Sequence, residues 1–136
     1  MNRVEKYINE NTKDFLIKGS TPKSEISDAQ LKLGFSFDFE YTTYLNNYGI
    51  LSYESMEILG LGVPDSSYLN VVTSTLKAIA EWGQFPQNAV VLENIGEDNY
   101  AIMIMDKGVF QFSPSSLDLI TNTLESYLLL RFSEVV

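Results

Sequence analysis

The side chains that could carry chemistry in this chain are carboxylates, lysines and hydroxyls, because the sequence contains neither histidine nor cysteine. That removes the usual general base, the usual zinc ligands and every disulfide. Two close carboxylate pairs remain, Asp38/Glu40 and Glu97/Asp98. Such a pair can in principle supply an acid and a base. Both pairs, however, fall where a helix start or a turn is predicted, and acidic residues there normally cap a helix or face water. A calcium site built from Glu97, Asp98 and Asp106 lacks the regular loop spacing of such sites. Gly60-Leu61-Gly62 has neither the third glycine nor the lysine of a phosphate-binding loop. With no nucleophile beside a base, the expectation is a protein that is not an enzyme and has no catalytic residue, metal or cofactor.

Composition sets the frame for what such a chain does instead. Its 136 residues fit one domain, 1–136, and 45% of them are hydrophobic, enough for a self-sufficient core. The formal charge of −9 is unevenly placed. Met1 to Gly34 holds six basic and five acidic residues, a balance of +1; Phe35 to Val136 holds three basic and thirteen acidic ones, a balance of −10. A body of that sign repels nucleic acid and anionic membranes and attracts cationic proteins. MNRVEKYINENTKD has no apolar core or cleavage site of a signal peptide. The longest apolar runs fall far short of the roughly 20 residues that span a bilayer. A cytoplasmic protein is expected.

The elements that must position these groups follow from periodicity. A first helix is predicted from about Asn2 to Leu16, with Val4, Ile8 and Phe15 on one stripe. A turn, KGSTPKS, leads to a second helix that Thr21, Ser24 or Ser27 could cap; Ile26, Ala29 and Leu33 form its buried face and Gly34 its stop. A third helix starts near Asp38, with Phe37, Tyr41, Tyr44, Leu45 and Tyr48 on one wide face and Gly49 at its end. Short strands follow at Ile50 to Tyr53 and Met56 to Leu61, and a helix near Tyr68 to Trp82 buries Val72, Leu76 and Ile79. Ala89 to Ile95, Tyr100 to Met105 and Val109 to Phe112 read as a three-strand meander joined at Gly96–Asn99 and Asp106–Gly108. Pro114 to Phe132 reads as a last helix, with Leu117, Ile120, Leu124 and Leu128 on one side. The fold class is therefore α+β: a single domain whose antiparallel-type sheet (short strands near 50–61, meander 89–112) packs with N-terminal helices, a middle helix and a C-terminal helix.

The order of residues from Ile26 to Gly62 resembles the SUKH superfamily, the Smi1/Knr4-like proteins. Ile26, Leu33-Gly34, Glu40-Tyr41, Tyr44-Leu45, Tyr48-Gly49 and Ile58-Leu59-Gly60-Leu61 follow the family's sequence of features. Asn70-Val71-Val72, Phe85-Pro86, Val90-Val91-Leu92, Gly96 and Gly108-Val109 extend the likeness over most of the chain. Phe37-Asp38 replaces the usual Leu-Pro, and Gln30 stands where an acid is usual. Each matched residue also has a structural reading: Tyr41, Tyr44 and Tyr48 as core aromatics, Gly34, Gly49 and Gly60 as backbone stops.

The resemblance implies a binding role, since bacterial members are commonly immunity proteins that neutralise a secreted toxin, often a nuclease. Nuclease domains carry basic clefts, so an anionic partner fits. The expected partner is a basic cognate toxin, with no nucleic acid and no membrane; a regulatory scaffold, as in the fungal relatives, is the alternative. The partner-facing residues implied by the charge pattern are Glu54, Glu57 and Asp65 near the short strands, and Glu93, Glu97, Asp98 and Asp106 at the hairpins. Trp82 is either an exposed anchor or a half-buried packing residue.

Overall fold

The computed structural model describes all 136 residues, as five helices and two antiparallel sheets. Helix α1 (Asn2–Glu10) and a short 3-10 turn lead into strand β1 (Phe15–Ile17). Helices α2 (Lys23–Leu33) and α3 (Phe39–Asn47) precede β2 (Leu51–Tyr53) and β3 (Met56–Ile58), which complete a three-stranded sheet, β1-β2-β3. Helix α4 (Val71–Glu81) leads to the second sheet, β4 (Ala89–Gly96), β5 (Asn99–Ile104), β6 (Gly108–Ser113) and β7 (Ser116–Thr121), paired in that order. Helix α5 (Leu124–Val135) closes the chain. The Leu59 N–H donates to the Leu92 carbonyl at 2.8 Å and joins the two sheets at their edges. No helix is long and apolar enough to cross a membrane.

Several predicted elements change extent. The first helix stops at Glu10, not Leu16. Phe15 belongs to β1, pairing with Tyr53, and its ring stacks on Tyr53 at 4.3 Å between centroids. Val4 and Ile8 do form the buried stripe of α1, but Phe15 reaches the same core from a strand. None of Thr21, Ser24 and Ser27 caps α2; Pro22 stands at its N-cap position, with no side-chain bond to the helix. Helix α4 spans Val71–Glu81, and its buried face is Val71, Val72, Thr75 and Ala78, leaving Leu76 and Ile79 partly exposed. Small side chains there let the helix approach β4 closely enough for Thr75 Oγ1 to accept the Val91 N–H at 3.0 Å. The strand expected to reach Leu61 ends at Ile58.

The largest correction lies at the C-terminal end. Pro114 to Phe132 is a strand followed by a helix, so the meander has four strands. Leu117, Ile120, Leu124 and Leu128 imitate a helical stripe by spacing alone. Leu117 and Leu119 in fact lie on one face of β7, cross-strand from Phe112 and Phe110. Thr123 then starts α5, its side chain accepting the Ser126 N–H.

The face of α3 forms as its spacing requires: Phe37, Tyr41, Tyr44, Leu45 and Tyr48 are all buried. Asp38 caps the helix, Oδ1 accepting the Tyr41 N–H at 2.9 Å, while Oδ2 accepts the Asp106 N–H at 2.9 Å across to the β5–β6 turn. Glu40 is spent similarly. Its carboxylate accepts the N–H groups of Leu124 and Glu125 at 2.7 and 3.0 Å, the first turn of α5. Glu125 in turn accepts the N–H groups of Arg3 and Val4 at 2.9 and 3.3 Å, the first turn of α1. Both members of the Asp38/Glu40 pair are thus structural caps.

Gly34 and Gly60 serve different ends. Gly34 adopts the left-handed backbone that closes α2, with open space around it. Gly60 lies where β3 ends against the turn after α3, and a Cβ there would run into the Gly49 carbonyl. Gly60→Ala is expected to cost at least about 3 kcal/mol or to block folding. Gly34→Ala should cost only about 1–2 kcal/mol. Urea titrations that gave equal, small losses for both would show that the chain does not need the Gly49–Gly60 approach.

Glu125 makes this packing sensitive to pH. Partial burial acts to raise its pKa, but the Val4 hydrogen bond, the N-terminal ammonium 3.5 Å away and the Arg3 hydrogen bonds outweigh it and hold the carboxyl below its ordinary value of 4.5. Its contribution is therefore complete above that value and is lost as pH falls through the lower folded one. Amide exchange at Arg3 and Val4 should lose protection as pH drops below about 4.5; exchange protection unchanged under acid would remove Glu125 as the anchor of α1.

Candidate functional site: an acidic cleft beside the edge of the second sheet

A cleft of about 450 Å³ opens where β3, α4 and the outer end of β4 meet. The buried Leu59, Ala78 and Val91 close its base. Glu57, Glu81 and Asp98 are exposed at its sides, and Lys77 is its one cation outside an ion pair. Three carboxylates against one ammonium leave the opening anionic.

Local structure explains each position. Strand β3 alternates buried Met56, exposed Glu57 and buried Ile58, so Glu57 must face outward. Tyr68, itself mostly exposed, turns its hydroxyl onto the Glu57 carboxylate at 2.8 and 2.9 Å. That bond raises the Tyr68 pKa and keeps the phenol protonated. Asp98 takes a left-handed backbone, φ 61°, in the tight turn between β4 and β5, which an aspartate tolerates. Glu81 ends α4 and lines the cleft together with Asp98 of the hairpin.

Glu93 lines the same region but is no surface acid. It is 2% exposed and grips Arg131 with both oxygens, at 2.7 and 3.1 Å, while the Tyr127 hydroxyl donates to it at 2.6 Å. Burial, then the neighbouring carboxylate, pushes the Tyr127 phenol well above its ordinary value; the Glu93 hydrogen bond holds the Arg131 guanidinium charged. The expectation that Glu93 faces a partner is therefore corrected: its charge is neutralised inside the protein, where an unpaired carboxylate would be costly. The signal was present in Ala89-Val-Val-Leu-Glu-Asn-Ile95, a charged residue inside an apolar strand.

The remaining predicted residues divide by location. Glu57 and Asp98 meet at the cleft, with Glu54 beside its Ser55 and Glu97 beside its Asp98. Glu54 has φ 52° at the tip of the β2–β3 turn. Asp106 lies at the opposite end of β5 from Asp98, tied by its backbone to Asp38. Asp65 lies in the loop before α4, where its carbonyl accepts the Thr73 hydroxyl. Trp82 is half-buried against the core at the end of α4 and lines no part of the cleft. The matched family residues Ile26, Tyr41, Leu45, Tyr48, Gly49, Gly60 and Leu61 are all buried, and Leu33 packs against the core. Residue order did not mark Tyr68, Lys77, Glu81 or Arg131, which come together only through folding. No three Asp or Glu side chains converge closely enough to hold a metal ion.

The model of the family described as SMI1-KNR4 cell-wall, SUKH_5, matches residues 1–133. The chain belongs to this SUKH family. It matches no curated protein at a significant level.

The Glu93–Arg131 pair also carries a stability prediction. Arg131→Met should destabilise by about 2–4 kcal/mol, by stranding a buried carboxylate. Replacing both residues together, Glu93→Leu with Arg131→Met, should recover part of that loss. A double variant less stable than Arg131→Met alone in chemical denaturation would show that loss of Arg131 does not strand the Glu93 carboxylate.

Proposed function

We propose that this protein is a binding module that acts by occupying a cationic surface of another protein, as an immunity protein that neutralises a cognate toxin, and that it catalyses no reaction. The observation that carries this reading is how its carboxylates are distributed. Asp38, Glu40, Glu93 and Glu125 are consumed by helix N-termini, a turn and an internal arginine. The carboxylates left to solvent at the cleft, Glu57, Glu81 and Asp98, have Glu54 and Glu97 at the adjoining turns. Such a surface imitates the charge of a phosphate backbone, steers a basic partner and makes association salt-sensitive. A toxin that cuts nucleic acid offers the complementary basic cleft. Family membership supports the reading, because an immunity role is common in this superfamily. The family's description as SMI1-KNR4 cell-wall supports a second reading, a regulatory scaffold with no toxin partner; the same anionic surface would serve it.

The test is binding to the product of the neighbouring gene, with rescue of cells that express it. Reversing Glu57, Glu81 and Asp98 to lysine should weaken binding at least about tenfold, flatten the dependence of affinity on salt, and abolish rescue. Unchanged affinity and salt slope in the folded triple variant would rule out the acidic cleft as the contact surface.

A further inference from the structure

The two edges of the second sheet are not equivalent. The inner half of the β4 edge is covered by the chain itself: Thr75 Oγ1 accepts the Val91 N–H, and the Leu59 N–H donates to the Leu92 carbonyl. Strand β7 forms the other edge, and no element pairs with its outer side. It is six residues long, about 20 Å of extended backbone. The edge strands of the first sheet, β1 and β3, have three residues each.

Natural edge strands are normally blunted by several charged side chains, lysine above all, by proline or by a bulge, and β7 carries a single charge, Asp118. Strand β7, Ser-Leu-Asp-Leu-Ile-Thr, contains no lysine and no proline, and its bulge falls at the Thr121 end. Leu117 and Leu119 are 46% and 54% exposed on one face, cross-strand from Phe112 and Phe110. Asp118 is exposed on the other face, cross-strand from Gln111. Inward of the edge, a shallow groove lined by Ile95, Gln111 and Ile120 runs toward Leu130 and Glu134 of α5, and its one cation, Arg131, is committed to Glu93. The edge therefore presents apolar, acidic, apolar in register, and Asp118 makes no ion pair.

We propose that the outer edge of β7 docks an extended segment of another protein in which apolar, basic and apolar residues alternate. An added strand would satisfy the outward N–H and C=O groups of β7. Side chains directly opposite one another share a face, so its apolar residues would cover Leu117 and Leu119 while its cation meets Asp118. A second copy of this chain is the poorer occupant, since two bodies of charge −9 repel each other. The proposal does not depend on the toxin reading, because the cleft and this edge are separate surfaces.

A capped hexapeptide of alternating valine and lysine is the probe, titrated into the labelled full-length protein and followed by backbone amide resonances. Shifts and slowed exchange are expected at Ser116–Thr121. Asp118→Lys, at an exposed site that leaves the fold intact, should weaken the peptide about three- to tenfold, and a valine–glutamate peptide should bind far more weakly. The variant with Glu57, Glu81 and Asp98 reversed should keep its response at β7, which separates this site from the cleft. Shifts confined to the cleft, equal binding of the glutamate peptide, or a concentration-dependent dimer that Leu119→Lys dissolves would each overturn the proposal.

Discussion

The first N–H groups of a helix have no partner within it, and three of the five helices here meet that need with a carboxylate. Asp38 does so for its own helix and also holds the β5–β6 turn. Glu40, in the first turn of α3, reaches the start of α5, and Glu125, in the first turn of α5, reaches the start of α1. Negative charge is favourable at each of these places because it faces the positive end of a helix dipole. The chain of contacts α3 to α5 to α1 fixes how the helices enclose the sheets.

That constraint has an electrostatic consequence. Each acid used internally is removed from the surface, so the charge count of the sequence overstates what a partner meets and misplaces part of it. Glu93 makes the same point in the sheet, where Arg131 cancels it. Among the acids that remain outward are those at the hairpin tips, Glu57 on the outward face of β3, Glu81 at the end of α4 and Asp118 on β7. Surface charge in this protein is thus what is left after the fold has taken the carboxylates it needs.

Aromatic packing supplies the rest of the rigidity. Tyr7, Phe15, Tyr53 and Phe132 pack ring on ring and tie α1, β1, β2 and α5 together. Tyr7 and Tyr53 share a hydrogen bond at 3.0 Å. That bond first, and burial second, pushes the Tyr53 phenol up to about 12. In the other half of the core, the rings of Phe37, Tyr41, Tyr44 and Tyr48 run along α3, which is why the tyrosines belong to packing and not to a ligand cage.

Local order was enough for much of this. The spacing of Tyr41, Tyr44, Leu45 and Tyr48 determined α3 and its buried face, Asp38 its start, Gly34 the end of α2, and the branched runs the first three strands of the meander. It was not enough where two elements share one apolar spacing: Leu117 to Leu128 reads as a helix until pairing with β6 draws its first half into the sheet, and Phe15 continues the stripe of α1 only as a count of residues. Nor could order show which carboxylates face water. That depends on which helix end or cation lies across the fold, as Arg131 does from Glu93 and the start of α5 from Glu40, and such contacts link residues 38 and 84 positions apart. Sequence determined most of the elements because periodicity is local; only tertiary structure decided β1, β7 and the site, because pairing and the choice between a buried and a solvated charge are made by partners brought from elsewhere in the chain.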